Sequence, residues 1–149
     1  MIHEHYEAVK TLMPAGVKVF LYDAELSEPP AVTDYPYVVL WGDPGEEFSG
    51  DPGDRTSADQ PDQLQLGIRA TYAALSGEAL SIIAGVTRRA LNRARPVVAG
   101  RGCSRLKQSV LQPMETDRSL VVGSRHPVFA VDEYSLTSAS TTSNTQGGI

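Results

Sequence analysis

The chain is short of several things at once, and each shortage closes off a class of protein. One cysteine, Cys103, in 149 residues rules out an intrachain disulfide framework and any zinc site built on several cysteines. The longest unbroken apolar run is Tyr37–Trp41, far below the roughly 20 residues that a membrane-spanning helix needs. The opening MIHEHYEAVK puts acids and histidines where a secretory leader has a basic patch and an apolar stretch, so no leader is expected. A life in the cytosol, or in something assembled there, fits these absences. Aromatic residues make up 7% and hydrophobic residues 41% of the chain, enough for one domain with one modest core.

Charge of one sign is missing from a long stretch. No carboxylate occurs between Glu78 and Glu115, and that interval holds Arg88, Arg89, Arg93, Arg95, Arg101, Arg105 and Lys107. Residues 1–78 carry 14 acids and 4 bases, whereas residues 79–149 carry 4 acids and 9 bases, within a net charge of −5. Two arrangements satisfy this. The halves can fold together and pair their charges internally, or one face can be acidic and another basic. The second suits head-to-tail contact between copies, with Arg88, Arg89, Arg93, Arg95, Arg101 and Arg105 as the candidate inter-subunit basic face. No aromatics are interleaved with these arginines and the protein is acidic overall, so an acidic partner surface is a better target than DNA.

What is present is mostly periodicity. Ile2, Tyr6, Val9 and Met13 form the stripe of an amphipathic helix, ended by Pro14 and Gly16. VKVFLY, 17–22, predicts a strand, and YPYVVLW, 35–41, apolar on both faces, predicts a central one. In LQLGIRATY, Leu64, Leu66, Ile68, Ala70 and Tyr72 alternate with Gln65, Gly67, Arg69 and Thr71, a strand with one wet face. Ser76 is placed to cap a helix with Glu78 in its first turn. That helix is expected to bury Ala79, Ile83, Val86 and Ala90, and to stop at Pro96. Weaker strand signals follow around Val97–Val98, Leu106–Leu111 and Pro127–Leu136. The expected fold is α+β: a single domain, a mostly antiparallel β-sheet covered by two α-helices, in the order α-β-β-β-α-β-β. Residues 1–136 would be the domain. Residues 137–149 would be an extended Ser/Thr-rich tail, since LTSASTTSNTQGGI holds no charge.

Candidate chemistry is sparse. His3 and His5 lie two apart on a helix and so point away from each other, and His3 with Glu7 lacks a third ligand nearby. The expected state is a solvated helix start. Cys103 sits among arginines in GRGCSR, without a local histidine signature, which favours a buried or idle thiol. His126, just before Pro127, fits a turn. No catalytic constellation, metal site or cofactor is expected.

The stretch WGDPGEEFSGDPGDR repeats GDPG and carries Asp43, Glu46, Glu47, Asp51 and Asp54. A phosphate loop needs a lysine or a helix start after its glycines, and neither follows. Calcium accepts oxygen ligands on such a loop, but the spacing departs from the EF-hand pattern. Turn chemistry at both ends of a long acidic hairpin loop is the preferred reading. A connection that long usually has a function, and contact with a partner is the one expected. The five acids are then candidates for an interface or lumen loop.

The order of elements, together with VKVFLYDAELSEPPAVTDYPYVVLWGDPG, DQLQLGIRATYAALSGEALSIIAGVTRRAL and DRSLVVGSRHPVFAVDEYSL, resembles the tail terminator proteins of long-tailed bacteriophages over roughly residues 2–136. The resemblance implies a virion structural protein rather than an enzyme. It would form a hexameric ring that caps the tail tube, ends its polymerisation and meets a head-completion protein, while genome DNA passes through without specific binding. The implied partners are the chain itself, the tail tube protein and the head-completion or connector protein, with no membrane and no cofactor. A head–tail connector ring subunit is the related alternative. A monomeric calcium- or small-molecule-binding domain is the unrelated one.

Overall fold

A computed structural model describes residues 2–48 and 63–141. In chain order its elements are α1 (Ile2–Thr11), β1 (Val19–Leu21), a 3-10 turn (Val32–Asp34), β2 (Tyr37–Gly42), β3 (Glu46–Phe48), β4 (Gln63–Ala74), α2 (Gly77–Leu91), β5 (Arg101–Cys103), β6 (Lys107–Thr116) and β7 (Val128–Ser140). The class is α+β, with two α-helices and one mostly antiparallel sheet. The strand order along the sheet is β1-β2-β4-β7-β5, with β3 on β4 and β6 on β7. Of these pairings only β1 with β2 is parallel.

The alternating segment becomes the middle of the sheet. β4 pairs along its whole length with β7, from Gln63↔Ala139 to Ala74↔Val128. Directly opposed residues share a face, so Leu64, Leu66, Ile68, Ala70, Tyr72 and Ala74 stand with Val128, Asp132, Tyr134, Leu136 and Ser138 on one side. Both helices cover that side: Tyr6 and Val9 of α1 and Leu80, Ile83 and Leu91 of α2 belong to the same buried cluster. The other face carries Gln65, Gly67, Arg69 and Thr71, where Arg69 stacks over Trp41 at 5.1 Å and lies 3.5 Å from Glu133.

Several expectations shift in detail. β3 and β5 are extra strands of three residues each, too short to show a period, and each is pinned only by its partner strand. The buried face of α2 is Leu80, Ile83, Thr87 and Leu91 rather than Ala79, Ile83, Val86 and Ala90. The two stripes overlap at Ile83; Leu80 and Leu91 displace Ala79 and Ala90 as burial of apolar area favours, and this rotation carries Thr87 inside in place of Val86. Ser76 does cap α2, accepting from the Ala79 amide at 3.1 Å. Val97 and Val98 form no strand. They follow Pro96, with Val98 buried and Val97 exposed. β6 passes through Pro113, which an edge strand tolerates, and its pairing with β7 shifts register twice. β7 runs on to Ser140, so four of the residues read as tail by composition are strand, paired to β4 and β5. Residues 142–149 of that tail lie outside the described residues.

Candidate functional site

Beneath α2 lies a closed polar network. Asp132, 1% exposed, accepts from Arg88 Nε at 2.6 Å and from a terminal guanidinium nitrogen at 2.8 Å. The Tyr72 hydroxyl donates to the same carboxylate at 2.6 Å and lies 3.0 Å from the Tyr134 hydroxyl. Burial and these neighbours drive the Tyr72 phenol far above its usual range, and burial pushes Tyr134 up to about 12. The Asp132 hydrogen bonds hold the Arg88 guanidinium more firmly charged than usual. A carboxylate already engaged by three donors has little left to accept a substrate proton, so the network acts as a clamp from α2 onto β7. Arg88 therefore leaves the expected inter-subunit face. Its charge is neutralised at home.

Arg101 also turns inward. Its Nε donates to Ser138 Oγ at 2.8 Å, and the same hydroxyl lies 2.8 Å from His5 Nε2. His5 is fully buried, so the expected solvated helix start holds for His3 but not for His5. The i, i+2 spacing sends one histidine out and the other in. Cys103 is buried beside Ser138, and burial raises its thiol above the ordinary range despite the nearby Arg101. His126 Nδ1 meets the Leu120 carbonyl at 2.8 Å and ties the 117–127 turn. Among the described residues no group of three or more His, Cys, Asp or Glu is placed to hold a metal ion, and no helix is long and apolar enough to cross a membrane.

Of the remaining candidate arginines, Arg89, Arg93, Arg95 and Arg105 gather at one corner, whereas Arg118 and Arg125 lie in the 117–127 turn. The segment after α2 is laced to the start of β6: Arg93 N donates to Leu106 O at 2.8 Å, Leu106 N to Ala94 O at 2.8 Å, and Gln108 N to Asn92 Oδ1 at 3.3 Å. Arg105 donates to the Arg93 carbonyl at 2.9 Å. This lacing brings exposed Arg93, Arg95, Arg105 and Lys107 together, with Arg89 one turn earlier on α2. The corner lies at the β5–β6 edge of the sheet.

The opposite edge has an excess of acids, although exposed Lys10 and Lys18 stand there too. Exposed Glu4 and Glu7 on α1, and Asp23, Glu25 and Glu28 in the loop after β1, border β1. That loop is built by Asp34, whose carboxylate accepts from the Ala31 amide at 2.8 Å and from the Ser27 amide at 3.0 Å. Those backbone donors hold the Asp34 carboxyl below its ordinary value. Tyr22 follows β1 with φ of 72°, its ring tilted against Tyr6 at 5.2 Å and its hydroxyl 2.5 Å from His3 Nδ1, and it is 50% exposed. Positive φ at a bulky residue is a backbone outlier, and such outliers cluster at functional sites.

The first GDPG joins two strands. β2 and β3 lie along the same side of β4, and Gly42–Gly45 is the kink between them. A Cβ at Gly42 would sit 2.6 Å from the Gly67 carbonyl, and one at Gly45 2.9 Å from Leu64. Asp43 Oδ1 accepts from the Gly45 amide at 2.9 Å, and its carbonyl accepts from the Tyr6 hydroxyl at 3.1 Å. Glu46 and Glu47 enter through the backbone of β3 alone. Asp51, Asp54 and the second GDPG lie outside the described residues. Of the five candidate acids, then, Asp43 is the one whose side chain the structure places, and it is committed to a local turn.

Sequence reasoning missed the network, though one signal was there. In VFAVDEYSL the inward period of Val128, Ala130, Tyr134 and Leu136 puts Asp132 at an inward position, and a carboxylate there demands partners. Tyr22 gave no signal, because positive φ is not written in the residue type. Scanned against protein-family models the chain has no match, and no curated protein matches it significantly.

Proposed function

We propose that the chain is a virion structural protein that assembles head-to-tail into a ring, most specifically a tail terminator of a long-tailed bacteriophage. The reading rests on the resemblance stated above and on one observation, the uneven placing of exposed charge on the two edges of the sheet. Exposed acids outnumber Lys10 and Lys18 around the β1 edge, exposed arginines crowd the β5–β6 edge, and the ion pairs His3–Glu7, Arg69–Glu133 and Arg88–Asp132 join neither group to the other. Internal pairing of the two halves thus leaves most of the asymmetry in place. A protomer with opposite charge at opposite edges favours a heterologous contact, which closes into a ring when its rotation allows.

In this reading the ring is hexameric, sits at the head–tail junction, and catalyses nothing. It caps the tail tube and stops its growth, and its other side meets the head-completion protein. Asp43, Glu46, Glu47, Asp51 and Asp54 face the lumen or an adjacent ring, where like charge keeps genome phosphates from sticking during passage. The deciding experiment is reconstitution with polymerising tail tube subunits, followed by electron microscopy. Tubes capped by a ring at one end and arrested in length are expected. A ring that ignores tube ends and instead binds a portal or adaptor makes the chain a head–tail connector. Uncapped tubes with no ring bound anywhere sink both.

A further inference from the structure

The outward ridge of α2 carries a pattern that the protomer alone does not use. Glu78, Ile82, Gly85 and Arg89 fall at i, i+4, i+7 and i+11, so they stand in one line along the helix. Glu78 and Arg89 are exposed, and Ile82 is 60% exposed. The acid and the base lie about 16 Å apart along the axis, too far to pair with each other. Neither joins an ion pair among the described residues. Gly85 is the odd member. Glycine weakens a helix interior relative to alanine, yet a Cβ at this position would meet nothing within 4 Å. Packing inside the protomer therefore does not ask for a glycine. Beside it, between α2 and β6, runs a groove of about 340 Å³. Ala84 and Gly85 belong to its helix wall, and Val110, Pro113 and Met114 to its strand wall. Val110 and Met114 are 58% and 49% exposed, so together with Ile82 they make an apolar surface with an acid at one end of the ridge and a base at the other.

Two copies of this ridge complement each other in one register. Laid antiparallel, Glu78 of each copy stands against Arg89 of the other, and Ile82 of each against Gly85 of the other. Both pairs are centred on the same point of the helix, between Ile83 and Ala84, so one two-fold axis there satisfies both at once. We propose that the α2 ridge and the groove beside it bind a second copy of this chain through a two-fold contact. Ile82 of each copy sits over Gly85 of the other, facing Val110 and Met114, with a Glu78–Arg89 pair at either end. Such a contact uses the same patch on both partners. The charges fix the direction, the antiparallel setting brings opposite helix ends together, and the missing Cβ makes room for the isoleucine at the short distances of packed helices. This goes beyond the ring reading and does not depend on it. The contact closes at two copies, and it leaves Arg93, Arg95, Arg105 and Lys107 for other surfaces.

Two kinds of substitution test it, and neither touches the core. Gly85→Leu fills the space over the glycine from an open helical position, and Ile82→Ser removes the apolar side chain from an exposed one. Sedimentation at low salt is expected to give twice the 16.0 kDa protomer mass for the wild type. Each variant, with an unchanged circular dichroism spectrum, is expected to give the protomer mass. Charge reversal then tests the register. Glu78→Arg alone and Arg89→Glu alone set like charges together at both ends, which should weaken the dimer by about tenfold or more. Their equimolar mixture is the decisive sample, because in a mixed pair every reversed residue faces an opposite charge and the dimer returns. A monomeric wild type, a Gly85→Leu chain that keeps the wild-type mass, or reversed chains that fail to rescue each other overturns the inference. A larger wild-type assembly that Gly85→Leu leaves unchanged overturns it too, and leaves the ring reading standing.

Discussion

Arg88 and Arg89 are neighbours in sequence and opposites in use. Arg88 points across the sheet into a network in which donors and acceptors meet within 2.6–3.0 Å. Arg89 stands in water with Arg93, Arg95, Arg105 and Lys107, at a corner where, among the described residues, Arg105 makes a local bond to the Arg93 carbonyl. The interior charge is satisfied and its energy is spent on holding α2 to β7. The outer charges contribute little to the folded protomer, because exposed pairs are worth about 0–1 kcal/mol even when they form. A patch that does so little for the fold is free to serve contact. The lesson is that charge at this molecule's centre is a matter of stability, and charge at its edges a matter of association.

That contrast can be broken most forcefully at its centre. Asp132→Ala leaves Arg88 and Tyr72 without their acceptor and should cost about 3 kcal/mol, the lower end for a buried pair because the Arg88 side chain is 42% exposed. Urea denaturation measures it, and a loss below 1 kcal/mol would refute the clamp. Gly42→Ala should follow at about 2 kcal/mol, since its Cβ would press on the Gly67 carbonyl and the Tyr6 hydroxyl. A well-folded alanine variant of wild-type stability would show that the kink can relax.

Alkaline pH tests the same centre more gently. Burial raises Tyr134 from 10.0 to about 12 on folding. A group whose folded pKa is raised contributes stability that is whole below pH 10 and lost as pH climbs towards 12. Stability should therefore fall across that window, with phenolate absorbance appearing together with unfolding. The Tyr134→Phe variant should show a shallower fall. A Tyr134→Phe variant whose stability falls with pH as the wild type's does would place Tyr134 in solvent.

Thr87 sharpens the comparison from the other direction. It is fully buried on α2, and its hydroxyl has no partner among the described residues. Thr87→Val keeps the shape and removes an unmet polar group, so it should stabilise by about 1 kcal/mol. Last comes Arg89→Ala, expected to change stability by less than about 0.5 kcal/mol while weakening self-association. A stability loss as large as that of Asp132→Ala would mean the outer arginines belong to the core after all.

Parts of this were legible beforehand because they are local. Alternation over Leu64–Tyr72 marked a strand with one buried face, and Ser76 marked a helix start, since both depend on neighbours a few residues away. The α1 stripe was readable as far as Val9 for the same reason. The acidic edge and basic corner were foreshadowed by composition, but not their places on the sheet. Asp43 looked like part of a ligand set or a loop, and became a turn residue once β3 was paired beside β2.

By itself the sequence determined the class of the fold, the strongest strand, the capped helix and the unequal distribution of charge along the chain. All of these follow from periods and capping chemistry that act within one or two turns of backbone. Only the tertiary structure decided which charges were cancelled and which were left outside. Arg88 meets Asp132 at a separation of 44 positions along the chain and Ser138 meets His5 at a separation of 133. The placing of β1 and β6 at opposite edges, which turns a charge imbalance into a charge separation, likewise depends on pairings between distant segments. Such contacts are set by how the strands stack side by side, and no window along the chain contains them.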